Sequence, residues 1–390
     1  MDAQPTSLIA RMFQIVETAD DPRAANARHF LTDILAIATL AVMCGSDDIR
    51  SIVEYAKDEH EWLKTFLPLP HGIPSISTFR RVLAALKPRA LEDLIKRWSG
   101  ELAGSLAGKQ IAIDGKALRH SFDKASEQSH VHLVTAWSVE DKLVLAQQAV
   151  DQKGNEITAL PEVLKMLDLK DATVTVDAMG TQTDIAEQIV KGGGNYVMAV
   201  KDNHPTLSDT ITRNLDEMVL EKFKDVKHVY YESTDAGHGR IDQRKVWATS
   251  DIQWLARRGE WKNLKSVIVV ESTRQEVLKN DLSKTKSSTM RRYYISSLPS
   301  ESGEKLASLI RNHWSIENGQ HWVLDVAFNE DQSRVRKDHG ARNLAVLRRI
   351  ALGLLRRDKS TTAGAKIKRQ KASRNHDYLM KVLLSTENAK

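Results

Sequence analysis

The sequence predicts a mixed α/β fold preceded by an all-helical domain and interrupted by a β-rich block. Three observations predict it. Residues 1–105 carry helical apolar spacing. From Gln110, short strand-like runs alternate with amphipathic helical stretches. From Lys227 to Ser297, strand-like runs rich in β-branched and aromatic residues follow one another with no helix between them.

In the helical part, Leu31 to Met43 is an apolar helix, and Asp47 or Asp48 caps a second through Ile52, Val53 and Tyr55. His71-Gly72-Ile73-Pro74 is a loop. Ser75 or Ser77 then caps a helix carrying Phe79, Val82 and Leu83, which Pro88 ends; a further helix runs from Ala90 to Leu106. The tight Gly-Pro turn leaves two readings open for Arg80 and Arg81: a helix-turn-helix-like DNA contact, or the exposed face of a structural helix.

The α/β part opens with the strand QIAID, ending at Asp114. VHLVTAWS and LVLAQQAV form two more strands about a charged turn, Glu140-Asp141-Lys142. A helix (Ile157 to Leu167), a strand (Ala172 to Val176), a helix (Thr183 to Lys191) and a strand (Asn195 to Lys201) follow, with Gly192-Gly193-Gly194 as the turn into the last strand. Three strands in series and then strand–helix–strand imply a mixed sheet. A helix over 205–222 leads into the strands HVYYEST, DQRKVWATS, SVIVVEST and MRRYYISS, with Leu278 to Ser288 as an exposed hairpin tip. This block is expected to project from the core rather than join its sheet. Helical spacing resumes from Gly303 to Phe328 and from Ala341 to Leu355.

Composition excludes several classes. A chain of 390 residues with 41% hydrophobic and 28% charged residues is neither fibrous nor disordered. A single cysteine, Cys44, excludes an internal disulfide framework and a cysteine-rich zinc site. The longest apolar run, Ile34 to Cys44, is too short to span a bilayer, and the first residues lack the pattern of a signal peptide. The expectation is a soluble cytoplasmic protein with no membrane partner. Neither GxxxxGK[ST] nor GxGxxG occurs, which disfavours an ATP- or NAD-dependent enzyme. The charge is asymmetric: residues 332–375 hold fourteen Lys/Arg against Asp338 and Asp358, a net +12, whereas the rest of the chain carries −6. Such a stretch suggests a polyanionic partner, most often nucleic acid.

Three acids stand out by placement. Asp114 and Asp177 each end a strand and precede a glycine-containing turn, at the rim where ligands bind in α/β sheets. Glu317 lies in the tryptophan-flanked segment HWSIENGQHW. Two strand-end carboxylates and one on a nearby helix supply the hard oxygen ligands of two Mg²⁺ ions. His313, Glu317 and His321 recur every four residues and form one helical stripe, with Ile316, Val323 and Ala327 opposite. That stripe lacks HExxH spacing, which weighs against zinc. Gly237-His238-Gly239-Arg240 is a compact turn suited to a phosphate backbone, and Lys201, after its strand, is a second phosphate candidate.

The segments IAIDGKALRHS, VTVDAMGTQ, AVKDNHPTL, GHGRIDQR, RNHWSIENGQHWVLDVAFNEDQSR and ARNLAVLRRIALGLL, in this order over residues 10–360, resemble the H-repeat-associated group of bacterial insertion-sequence transposases. The resemblance implies an RNase H-like catalytic domain with helices on both faces of its sheet and a D-D-E triad, mapped here to Asp114, Asp177 and Glu317. It also implies Mg²⁺, with Mn²⁺ able to substitute, as a pair of ions. The implied partners are double-stranded DNA, both transposon ends and target, and a second copy of the chain in a homodimer assembled on DNA. The DNA contacts it suggests are Lys116, Lys201, His238, Arg240, Arg311, His313, Arg334 and Arg336. Wider relatives carry a Tyr-x2-Arg-x3-Glu-x6-Lys signature; here its positions hold Ile310, His313, Glu317 and Leu324, so the lysine is missing. The expected division is a helical domain over 1–105, the first part of the catalytic domain over 106–226, a strand insertion over 227–300, a helical completion over 301–360 and a basic tail over 361–390. The activity implied is cleavage and strand transfer; a nuclease that does not join, and an inactive DNA-binding derivative, are the alternatives.

Overall fold

A computed structural model describes residues 21–23, 27–122, 129–150, 156–237, 239–278 and 281–384. In chain order the helical region holds α1 (Leu31–Met43), α2 (Ile49–Asp58), α3 (His60–Leu63), α4 (Ile76–Ala85) and α5 (Pro88–Ala103). Then come β1 (Gln110–Ala117), β2 (His132–Ser138), β3 (Leu143–Ala149), α6 (Glu156–Lys165), β4 (Thr173–Val176), α7 (Thr183–Lys191), β5 (Asn195–Val200) and α8 (Pro205–Leu220). The strand-rich block is β6 (His228–Gly237), β7 (Arg240–Thr249), β8 (Ser266–Leu278) and β9 (Asp281–Ser296). The chain ends in α9 (Gly303–His313), a π turn (Glu317–His321), α10 (Trp322–Phe328), a 3-10 turn (Glu330–Gln332), α11 (Gly340–Arg357), α12 (Ala365–Ala372) and α13 (His376–Leu384).

The chain forms two compact units. One comprises Met1–Ser105, Gly115–Ala159 and Glu317–Lys390; the other comprises Leu106–Asp114 and Leu160–Ile316.

In the second unit the strand order is β1-β4-β5-β9-β8-β7-β6. β1, β4 and β5 are parallel, and their runs IAI, TVTV and YVM are buried on both faces, as the middle of a covered parallel sheet requires. β9 adds antiparallel to β5, pairing Val197 with Ser296 through Val200 with Tyr293. The strand block therefore joins the sheet instead of projecting from it. The reason lies in its alternation. Along β9, Tyr294 packs with Val246, Ile268 and Val270 against Leu306, Leu309 and Ile310 of α9, whereas the Tyr293 hydroxyl donates to Asp216 of α8 at 2.7 Å. Two covered faces make these strands interior to the unit, with helices on both sides. Farther from β5, residues 274–276 of β8 and 286–290 of β9 are exposed, so only the distal part of the pair is a free hairpin.

In the first unit β2 and β3 pair antiparallel beside the end of β1, and α11 runs through the helical core with Leu344, Leu347, Ala351 and Leu354 buried. Asp48 caps α2 by accepting from the Ser51 amide at 2.9 Å, and Ser75 caps α4. Pro88 does not end a helix but occupies the first turn of α5, where a missing N–H is harmless.

Of the stretch that reads in sequence as a basic tail, residues 361–384 are described, and they are folded. α12 and α13 bury Lys368, Arg369, Tyr378 and Leu379. Arg369 donates to the carbonyls of Val42 and Ala327, pairs with Asp47 at 2.8 Å and lies over the Phe328 ring at 4.2 Å. Its charge is therefore answered by helix-end carbonyls and a carboxylate. Arg348 and Arg349 are both buried; Arg349 pairs with Glu330 at 2.8 Å and Arg348 donates to the Asp47 carbonyl at 2.9 Å. The exposed cations of the stretch are Arg334, Lys337, Lys359, Lys366, Lys371 and Arg374.

Candidate active site

β1 and β4 run parallel and in register, from Gln110 opposite Thr173 to Ile113 opposite Val176. Asp114 and Asp177 are the next residues after these pairs, and both are half-buried. β1 continues to Ala117 beyond the end that the sequence suggests, but the register is unaffected. Asp177 is oriented from below: its Oδ1 accepts from the Gly180 amide at 3.0 Å, and its carbonyl accepts from the Thr181 hydroxyl at 2.9 Å. A Cβ on Gly180 would lie 2.8 Å from Leu160 Cδ1 and 3.1 Å from Val176 Cβ, so any larger residue there has to displace the end of the Leu160 side chain.

A buried polar set ties the last turn of α9 to these strands. Gln110 Nε2 donates to the Leu309 carbonyl at 2.7 Å and to Thr175 Oγ1 at 3.1 Å, and Thr175 Oγ1 is 3.1 Å from His313 Nδ1. Thr175 lies two residues before Asp177 and on the same face of β4. Burial pushes the His313 imidazole down to about 4, against the pull of the Asp177 charge. At neutral pH it is an uncharged hydrogen-bonding partner, not the phosphate cation the sequence suggests.

A cavity of about 470 Å³ opens beside Asp177 and is lined by Lys201, Arg292, Tyr294, His313 and Trp314, among others. Lys201 is exposed, and Arg292 lies over the Trp314 ring at 5.3 Å. Arg292 and Trp314 are absent from the sequence-derived set; nothing in their local sequence distinguishes them from strand and helix surface residues. Glu156 is a further acid that sequence reasoning missed. Its carboxylate stands where a Cβ on Gly115 would be, and it pairs with His132.

Glu317 opens the π turn, in the first unit, and is exposed. The expected stripe of His313, Glu317 and His321 is broken, because the helix stops at His313 and restarts with π spacing: both histidines are buried and the glutamate is not. Ile316 and Ala327 are buried as expected. π turns of this kind are frequent at functional sites. Among the described residues no three His, Cys, Asp or Glu side chains are arranged to hold a metal ion.

The expected DNA-contacting cations divide. Lys201 and Arg334 are exposed. Arg240 is exposed but pairs with Asp242 at 3.1 Å, and Arg311 pairs with Asp235 at 2.9 Å. Arg336 donates to the His120 carbonyl at 3.0 Å and stacks on Phe122 at 4.7 Å. Lys116 is buried among Asp325, Glu330 and Asp331, so its ammonium answers internal carboxylates instead of facing a phosphate. His238 lies outside the described residues.

Residues 107–354 match the family model described as Transposase DDE domain, and residues 13–99 match the one described as DDE_Tnp_1-associated. The chain belongs to the DDE transposase family. The transposase is 36% identical over 357 residues to YhhI of Escherichia coli (strain K12), by its name a candidate H repeat-associated transposase; the match covers 91% of this chain and 92% of that protein. It is 37% identical over 367 residues to the candidate transposase YncI of Escherichia coli O157:H7, covering 94% of this chain and 92% of that one. Among solved structures it is similar to the piggyBac transposase in a synaptic complex with hairpin DNA, at 10% identity and a TM-score of 0.44, over 95% of this chain and 80% of that one. The function of the transposase is DNA transposition. Among its described residues no helix is long and apolar enough to cross a membrane.

Proposed function

We propose that the transposase is an active metal-dependent enzyme that cuts DNA at transposon ends and joins those ends to target DNA, with Asp114, Asp177 and Glu317 as its catalytic carboxylates. The observation that carries this reading is the register of β1 and β4, which sets Asp114 and Asp177 each one residue past the last parallel pair, Ile113 and Val176. Two half-buried carboxylates at one edge, one already oriented by a backbone amide, form a donor set of hard oxygens. That set fits Mg²⁺ or Mn²⁺ and not a soft metal. Two such ions, when bound, supply activation of the attacking oxygen and stabilisation of the leaving one during in-line displacement at phosphorus.

The chain's own part is positioning. The Gly180 amide holds one Asp177 oxygen, Oδ1. Uncharged His313 holds the α9 terminus to Thr175 without placing a competing cation beside the aspartates. Glu317 follows His313 by four residues, which supports its assignment as the third acid. Lys201 and Arg292, at the cavity beside Asp177, are suited to the phosphates flanking the reacting one. The exposed cations of residues 332–375 add sequence-independent affinity for double-stranded DNA. The working form is a homodimer assembled on the ends, in the cytoplasm where the DNA lies.

A strand-transfer assay with pre-cut ends, target DNA and Mg²⁺ tests this reading. Joined products are expected. Cleavage of uncut ends with no joining of pre-cut ones would make the protein a nuclease.

A further inference from the structure

The turn that carries the Gly180 amide, the donor to Asp177, is held at both ends by side chains that the catalytic reading leaves without a role. The Thr181 amide donates to the Ala178 carbonyl at 3.2 Å, which closes a four-residue turn with Gly180 inside it. Asn203 Nδ2 donates to that same Ala178 carbonyl at 2.6 Å, and His204 Nε2 meets the Thr181 carbonyl at 2.6 Å. A carbonyl only accepts, so Nε2 carries the proton in this contact. All of these residues lie in one compact unit, within its segment Leu160–Ile316.

The two donors are themselves fixed. They are consecutive residues between β5 and α8. The His204 amide donates to the Lys201 carbonyl at 3.1 Å, the His204 carbonyl accepts from the Ser208 amide at 2.8 Å, and Pro205 opens the helix. The His204 ring stands edge-on to the buried Trp261 at 5.4 Å. Thr181 adds a third tie, its hydroxyl donating to the Ala199 carbonyl of β5 at 2.6 Å. Stability asks for little of this. Asn203 is exposed and His204 half-buried, so water can take the place of both donors at small cost. What two fixed side chains add over water is a single orientation of the turn. With it comes a single orientation of the Gly180 amide, 3.0 Å from Asp177 Oδ1.

We propose that Asn203 and His204 are positioning residues: by bracketing the Ala178–Thr181 turn they fix the Gly180 amide and, through it, the Asp177 carboxylate. This rests on the reading of Asp177 as a catalytic carboxylate. The bracket acts as outer-shell partners of metal ligands do, whose loss typically costs about 10–100-fold in metal affinity or activity.

The experiment uses the full-length protein in three variants. Asn203→Ala and His204→Leu each remove one donor, and leucine keeps an apolar contact for Trp261. His204→Gln keeps a nitrogen donor close to the place of Nε2. Hydrogen exchange of the Gly180 amide is followed by nuclear magnetic resonance on glycine-labelled protein, and a thermal melt reports the fold. Mn²⁺ binding is read by electron paramagnetic resonance without DNA, and cleavage of end-bearing DNA is read in single turnover. In Asn203→Ala and His204→Leu the Gly180 amide is expected to exchange faster. Half-saturating Mn²⁺ should rise about tenfold, with a matching fall in the single-turnover rate. The DNA concentration for half-maximal rate stays unchanged, and His204→Gln stays close to wild type in every readout. Wild-type exchange, Mn²⁺ affinity and rate in both donor-less variants overturn the proposal. So does a fall in rate without faster Gly180 exchange, and so does His204→Gln as impaired as His204→Leu. Loss of the fold in Asn203→Ala and His204→Leu also overturns it, since the bracket then serves stability alone. Asp177→Asn runs in parallel. If it too keeps Mn²⁺ affinity and cleavage, the catalytic reading fails; if it loses both while the bracket variants do not, only the bracket fails.

Discussion

Asp114 and Asp177, 63 positions apart in the chain, follow the last paired residues, Ile113 and Val176, of two parallel strands, and this register alone makes them neighbours. Two carboxylates side by side repel each other, which a cation between them reverses. Neutralising one is therefore expected to remove metal binding while relieving repulsion. Asp177→Asn should raise thermal stability slightly and abolish Mn²⁺ binding. Unchanged Mn²⁺ binding would contradict the assignment.

His313 makes stability sensitive to acid in a defined window. Its imidazole is held at about 4 in the folded chain, below the ordinary 6.5, so between these values the unfolded chain binds the extra proton. Stability is fully retained above about 6.5 and falls as the pH drops towards 4, by on the order of 3 kcal/mol from this group. His313→Asn keeps a side-chain amide near Thr175 but does not titrate. The stability gap between wild type and variant should narrow from pH 7 to pH 4 in chemical denaturation. Curves that stay parallel across that range would show that His313 is not the titrating group.

Two adjacent arginines on β9 are expected to behave differently. Arg291 pairs with Glu271 at 2.7 Å and Asp216 at 2.9 Å, whereas Arg292 lies over Trp314 at the cavity beside Asp177. Arg291→Ala should lower stability by about 1 kcal/mol and leave the salt dependence of DNA binding alone. Arg292→Ala should reduce the salt slope by about one unit with little change in stability. Equal effects of the two on DNA binding would refute the division.

The basic stretch offers a second contrast. Arg334→Ala, at an exposed position, should weaken DNA binding and lower the salt slope by about one unit. Arg349→Met should leave the slope unchanged and cost about 3–5 kcal/mol in urea unfolding, because Glu330 would lose its principal partner in the interior. A reduced slope in Arg349→Met would place that guanidinium on the DNA.

Most of the elements were legible because their patterns are local. Leu31–Met43 is apolar but for Thr32, Asp33 and Thr39, Asp48 and Ser75 sit at helix starts, and TVTV and YVM are short strand-like runs bounded by turns. The register that sets Asp114 and Asp177 beyond the pairs Ile113 and Val176 involves two strands sixty residues apart, and the apolar runs before each aspartate are its local sign. Four features were not legible, because each depends on what a segment meets. The alternation of β9 does not say that β5 offers it an edge. The cations of residues 332–375 read as solvated until α1, α10 and Glu330 supply carbonyls and carboxylates for them. The spacing of His313, Glu317 and His321 is that of a regular helix, and nothing in it announces a π turn. Lys116, which the resemblance suggests as a DNA contact, has its partners more than two hundred residues downstream.

The most direct measurement of the central claim is the mapping of cuts. Full-length protein and its Asp114→Asn variant are incubated with Mg²⁺ and DNA that carries the element's ends within flanking sequence, and DNA binding is measured alongside. The account predicts Mg²⁺-dependent cuts at the ends by the wild type. It predicts none by Asp114→Asn, which should bind the same DNA as tightly or slightly more tightly, having lost a negative charge and no phosphate contact. Cuts of undiminished yield in the variant would remove Asp114 from the site and contradict the account.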